Sequence, residues 1–174
     1  MTFSEGWRDQ YQRMLRSRDR LAEAAGPSSI GSDEARDRLY HFFQDAFHLK
    51  DWLIHDLGLS ESDANDMEDH ITATDALARC ADISNGTKHL KLKRPRIPGK
   101  PAQLGSQSVS VSMPTIAVGV TIGGSPPKPK KPAEVATAEH QWTVDFDGQQ
   151  LDAVALADEV IAEWESWLKA KGHL

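Results

Sequence analysis

The chain has 174 residues, near the size of a single domain, and carries 20 Lys and Arg against 26 Asp and Glu for a net charge of −6. Its apolar runs fall far short of the roughly 20 residues that cross a bilayer, and Met1-Thr2-Phe3-Ser4-Glu5 lacks the basic-then-apolar order of a leader, so a cytoplasmic chain with no membrane role is expected. A single cysteine, Cys80, excludes an internal disulfide and any multi-cysteine metal site, and its neighbours Leu77, Ala78 and Ala81 mark it as a buried thiol.

From Ser4 to about Ala25, Trp7, Tyr11, Met14, Leu15, Leu21 and Ala22 recur at steps of three and four among many charges, which predicts an amphipathic helix ended by Gly26-Pro27. A second helix is expected from Ser32, as cap, to about Leu57, with Asp33 and Glu34 in its first turn and an apolar stripe through Leu39, Phe42, Phe43, Ala46, Leu49, Leu53 and Leu57. Ser60 or Ser62 caps a third helix, which carries Met67, Ile71, Thr74, Ala78 and Ala81 toward Asn85.

The prolines of Lys93-Arg94-Pro95-Arg96-Ile97-Pro98-Gly99-Lys100-Pro101 each remove a backbone donor and disfavour helix in the preceding residue, so this stretch is a basic loop. Alternation over Val109, Val111 and Met113, and again over Ile116, Val118, Val120 and Ile122, predicts two short strands or one broken strand. Gly123 to Pro132 reads as a Pro/Lys-rich spacer. A last strand shows Trp142, Val144 and Phe146 on one face, Asp147-Gly148 turns the chain, and a final helix carries Leu151, Val154, Ile161, Trp164 and Leu168.

The expected architecture is α+β, a bundle of three or four helices with a small antiparallel sheet before the C-terminal helix. Residues 1–92 form the bundle, 93–133 the basic loop, short strands and linker, and 134–174 a strand and helix that return to the same core.

Charge is segregated along this order. Between Ile83 and Ala133 there is no Asp or Glu, while nine cations run from Lys88 to Lys131. The other 11 basic residues accompany all 26 acidic ones, a balance of −15. A local positive field attracts phosphate even on an acidic chain, so RNA or an acidic protein surface is a candidate partner for Lys91, Lys93, Arg94 and Arg96. The alternative is that these cations rest on the chain's own acidic helices.

Two groups of residues have chemical potential. On the second helix His41, Asp45, His48, Trp52 and His55 share a narrow strip roughly opposite the apolar stripe. Such a strip offers imidazoles, a carboxylate and an indole to a metal, a base or a partner, although the commoner role of His48 and Trp52 would be packing on a second side of the bundle. The second group is Asp82-Ile83-Ser84-Asn85-Gly86-Thr87-Lys88-His89. Continued as helix, it puts Asp82, Asn85 and His89 on the inward face, where polar groups need partners. In a cleft, His89 would act as acid or base, Asp82 or Asn85 would orient it, and Lys88 would steady a developing phosphate charge.

The helix holding His48-Leu49-Lys50-Asp51-Trp52, followed by a helix ending Asp82-Ile83-Ser84-Asn85-Gly86-Thr87-Lys88-His89, resembles the HEPN class of helical domains of toxin–antitoxin and phage-defence proteins. The resemblance covers about residues 33–92. It implies a homodimer and, in active members, metal-independent RNA cleavage by an arginine, a polar residue after it and a histidine five positions beyond the arginine. Asn85 and His89 match the last two, but Ser84 stands at the arginine position. The resemblance therefore implies an interaction module that binds RNA or a protein partner, with ribonuclease activity as the alternative if Lys88 replaces the missing charge.

A third reading, a structural or assembly protein, has the final helix docking on a partner through Trp164 and Trp167. No HExxH, GxxxxGKS, GxGxxG or GxSxG motif occurs, so no cofactor or metal is expected.

Overall fold

The computed structural model describes residues 5–88, 95–96, 100–112 and 136–174. The anticipated strand over Ile116–Ile122, the spacer after it, and the candidate residues His89, Lys91, Lys93 and Arg94 lie outside the described residues. Along the described chain the order is α1 (Trp7–Ala25), α2 (Ser32–Asp56), α3 (Glu61–Ala73), α4 (Asp75–Lys88), β1 (Gln103–Ser112), β2 (Thr137–Phe146), β3 (Gln149–Asp152) and α5 (Ala153–Ala170). This is an α+β chain, with a helical bundle and a three-stranded antiparallel sheet preceding the C-terminal helix.

Polar contacts fix the directions in which the helices pack. Asp56, at the end of α2, accepts from the Trp7 backbone N–H at 2.8 Å, placing a carboxylate at the positive end of α1. At the other end of the pair Arg38 reaches the Arg20 carbonyl and Glu23, so α1 and α2 are antiparallel. Tyr11 donates to Glu165 at 2.9 Å and Arg18 forks onto both oxygens of Asp158, which lays α5 antiparallel to α1. Burial and the Glu165 carboxylate together push the Tyr11 hydroxyl up to about 12.

Between these helices lie Met14, Leu21, Leu39, Phe42, Phe43, Leu49, Leu53, Leu77 and Trp164, all essentially inaccessible to water. Phe42 and Phe43 meet edge to face, with ring centroids 5.2 Å apart. The predicted stripe of the second helix is the buried face of α2, apart from half-buried Leu57.

Three local expectations are corrected. The α2 cap is Gly31, with no side-chain hydrogen bond, and Ser32 is the first helical residue. The single third helix is two helices broken at Thr74, whose φ of −97° and ψ of 113° leave the helical region. Thr74 closes α3 through its N–H to the His70 carbonyl and opens α4 by accepting from Ala78, so one β-branched residue serves both ends. Finally, the Asp147-Gly148 turn, with φ of 48° and 75°, does not lead directly into a helix. Two successive positive φ values suit the right-handed twist of a tight hairpin, and the chain returns as β3 before Asp152 caps α5 by accepting from Ala155.

The sheet order is β1-β2-β3, with Val109 opposite His140 and Val144 opposite Leu151. A bulge lies between Leu104 and Gln107, and there a Cβ on Gly105 would fall 2.3 Å from Asp145 Oδ1, so the Asp145 carboxylate occupies the space that a side chain at 105 would need. The inner face carries His140, Trp142 and Val144 against the helices. His140 stacks on Trp142 and its Nε2 donates to the Ile30 carbonyl at 2.9 Å.

Phe43→Ala should lower unfolding stability by about 3–5 kcal/mol, the transfer and cavity terms of a lost buried ring, seen as a reduced urea midpoint at unchanged slope. Leu174→Ala, at an exposed position, should stay within about 0.5 kcal/mol.

Candidate functional site

The end of α4 gathers most of the predicted chemistry. Helical periodicity turns Asp82 inward, where it is 1% exposed, and its carboxylate accepts from the Arg96 N–H at 2.8 Å and the Ala102 N–H at 3.3 Å. Asp82 thus fastens the chain after α4 back onto the helix. Burial raises its pKa, and the two backbone hydrogen bonds and the Arg96 charge pull the other way without cancelling that rise.

Arg96, a predicted contact for a partner, turns its guanidinium to Glu68 at 2.6 Å and to Thr72 at 3.2 Å, over the Phe47 ring. Lys50 bonds the other oxygen of Glu68. Burial would raise the Glu68 carboxyl, but the hydrogen bonds and charges of Lys50 and Arg96 outweigh it and hold the group below its ordinary value. Lys100 similarly pairs with Asp147 at 2.6 Å. Two cations of the basic segment are therefore engaged with the chain's own acids.

Ser84 is fully buried, and its hydroxyl finds no partner among the described residues. The position at which the resemblance would place a phosphate-binding arginine faces the core. Beyond it Asn85 is half-buried and Lys88 exposed. Gly86 and Thr87 line one wall of a cleft of about 380 Å³, and Asp37, Tyr40, His41 and Gln44 of α2 line the other. Gln44 donates to the Thr87 hydroxyl at 2.8 Å, and that hydroxyl donates to the Ser84 carbonyl at 2.7 Å, which ties the wall of α2 to the last turn of α4. His41, from the histidine strip, thereby meets the α4 segment, a juxtaposition that neither helix alone discloses.

The remainder of the strip is divided. Asp45 faces α1, its carbonyl accepting from Gln10 and its carboxylate from Ser17. His48 is half-buried. Trp52 packs against the core with the Arg13 guanidinium 5.7 Å from its ring. It also lines, with Glu5, Asp51, His55 and Asp56, a second cleft of about 390 Å³. The strip is thus not one exposed surface, because α1 packs along part of it. Among the described residues no three His, Cys, Asp or Glu side chains are grouped as a metal would need.

The tryptophans expected to dock on a partner are internal: Trp164 and Trp167 sit in the chain's own core, their rings 6.4 Å apart. No helix among the described residues is long and apolar enough to cross a membrane. No family model, curated protein or solved structure matches the chain.

Asp82→Ala should destabilise the fold by about 1.5–3 kcal/mol, since it strands two inward-facing backbone donors, and should raise amide exchange at Arg96 and Ala102. Glu68→Gln gives a pH signature. A carboxyl held below its ordinary 4.5 contributes stability that is present above that value and lost as pH falls through the folded value. The variant should therefore be less stable than the parent by about 1–2 kcal/mol at pH 7, a difference that shrinks toward pH 3 in denaturant titrations.

Proposed function

We propose that the chain is a HEPN-like interaction module that binds RNA without cutting it, of the kind used in toxin–antitoxin or phage-defence settings. The observation that carries this reading is the charge segregation: nine cations and no acid between Ile83 and Ala133, beginning at exposed Lys88 beside the α2–α4 cleft. A stretch of one sign is what a phosphate backbone selects, since each neutralised phosphate releases a counterion.

The absence of cutting is supported by position 84. The arginine of the resembled motif would supply a fixed charge for the scissile phosphate, and here a buried serine takes its place. Arg96 and Lys100 have acidic partners within the chain, and the proposed phosphate contacts are Lys88, Lys91, Lys93 and Arg94.

A labelled single-stranded RNA titrated over a range of salt tests this. Affinity should fall steeply with salt, and replacing Lys91, Lys93 and Arg94 together by Ala should reduce the slope of log K on log salt by about 2, at roughly 0.7 per contact. Salt-independent binding, or none, would overturn the RNA reading in favour of a protein partner. Cleavage that survives chelator and disappears in His89→Ala would overturn the non-catalytic half and identify a metal-independent ribonuclease.

A further inference from the structure

Two cations from distant parts of the chain, Lys50 and Arg96, meet over one ring. Lys50 stands three residues beyond Phe47 on α2 with its ammonium 4.8 Å from the Phe47 ring centroid, and the Arg96 guanidinium lies 5.8 Å from the same centroid. Like charges so placed repel. What holds them is the Glu68 carboxylate between them, one oxygen on Lys50 and the other on Arg96. Arg96 is also fixed from behind, since its backbone N–H donates to Asp82 at 2.8 Å and its second guanidinium nitrogen donates to the Thr72 hydroxyl at 3.2 Å. That hydroxyl donates in turn to the Glu68 carbonyl at 2.9 Å.

The pair is thus positioned by backbone and packing, whereas its occupant is a side chain with rotatable bonds. Glu68 is 32% exposed, against 14% for Lys50 and 23% for Arg96, so a change of rotamer carries its carboxylate into water while Met67 and Ile71 keep α3 in place. Charge is left over when Glu68 sits there. Two cations face one carboxylate, and the next acid among the described residues, Asp51, lies 3.8 Å from Lys50 and is largely exposed, where solvent screens it. The pull of the pair on an anion is strong enough to hold the Glu68 carboxyl below its ordinary value against burial. An arginine fork beside a lysine point charge suits phosphate, whose oxygens meet both donors and whose charge, about −1.5 to −2 for a monoester at pH 7, balances two cations better than a carboxylate does.

We propose that Lys50 and Arg96 form a phosphate-binding site and that Glu68 is its built-in competitor, filling the site until a phosphate group displaces it. The carboxylate keeps the two cations assembled in the absence of ligand and restricts entry to anions that outbid its single charge. This goes beyond the RNA-binding reading, and the first arm of the test uses no RNA.

Inorganic phosphate is titrated into the full chain at constant ionic strength and pH, with chloride as the replaced anion, and followed by amide NMR and thermal melting. Phosphate should shift the Thr72 and Arg96 resonances of the parent chain. Glu68→Gln vacates the site and should bind phosphate roughly tenfold more tightly, as expected when two half-buried ion pairs no longer compete. Its melting temperature should rise with phosphate by more than the parent's. Asp69→Asn makes the same charge change at an exposed position of α3 and should follow the parent, and adding Arg96→Gln to Glu68→Gln should abolish the gain. Equal gains in Glu68→Gln and Asp69→Asn would reflect net charge or the general exclusion of phosphate from protein surfaces and would overturn the proposal. So would a parent chain whose Thr72 and Arg96 resonances stay still, a measurement that needs no variant to fold. A labelled RNA then identifies the source of the phosphate. If it is a nucleic-acid backbone, Glu68→Gln tightens RNA binding and steepens its salt slope by about 1.4, two contacts at roughly 0.7 each. Unchanged RNA affinity beside tighter phosphate binding assigns the site to a small phosphorylated molecule.

Discussion

One carboxylate joins the two halves of this protein. Asp82 lies inside the bundle, where burial disfavours its charge, and the amides of Arg96 and Ala102 converge on it to offset that penalty. Because those amides belong to the segment that leaves α4, the same two bonds decide where the chain goes next. Arg96 is set down beside Glu68, which also takes Lys50, so α2, α3 and the returning segment share one charge network. Ala102 is buried against the core, and β1 begins one residue later. The path from bundle to sheet thus depends on a polar group that the apolar pattern does not register.

This arrangement also sorts the cations. Arg96 and Lys100 are turned to the chain's own acids, whereas Lys88 stands exposed at the end of α4, where α2 and α4 leave a polar cleft. Asp82 directs its carboxylate to backbone, and Ser84 is enclosed in packing. The inner side of this helix end therefore serves architecture, and a partner would meet its outer side. That division is the ground on which binding, rather than cleavage, is proposed.

Much of the helical fold was legible from spacing. The stripe from Leu39 to Leu53 is the buried face of α2, and Trp7, Tyr11, Met14 and Leu21 are the buried face of α1, because a 3.6-residue period leaves few other ways to remove that many large side chains from water. Trp142 and Val144 likewise announced a half-buried strand. Boundaries and short elements were less legible. Thr74 fits a helical stripe as well as it fits a break, and only the packing of α3 and α4 as separate helices selects the break. β3 is four residues with one half-buried side chain, too short for its alternation to stand out, and it exists because β2 provides a ladder.

The candidate site divides in the same way. Sequence by itself determined that Asp82 is a polar residue on an inward face, where the charge lies along the chain, and that positions 84 to 132 hold cations without acids, since these follow from composition and periodicity. Only the tertiary structure decided what those groups meet. Asp82 finds backbone 14 and 20 residues away, Arg96 finds Glu68, His41 lines a cleft with Thr87, and the strip of α2 is split because α1 packs along Asp45. The physical reason is range: helical period and capping act over a few residues, whereas a hydrogen bond or ion pair between distant segments is specified by the packing that brings them together.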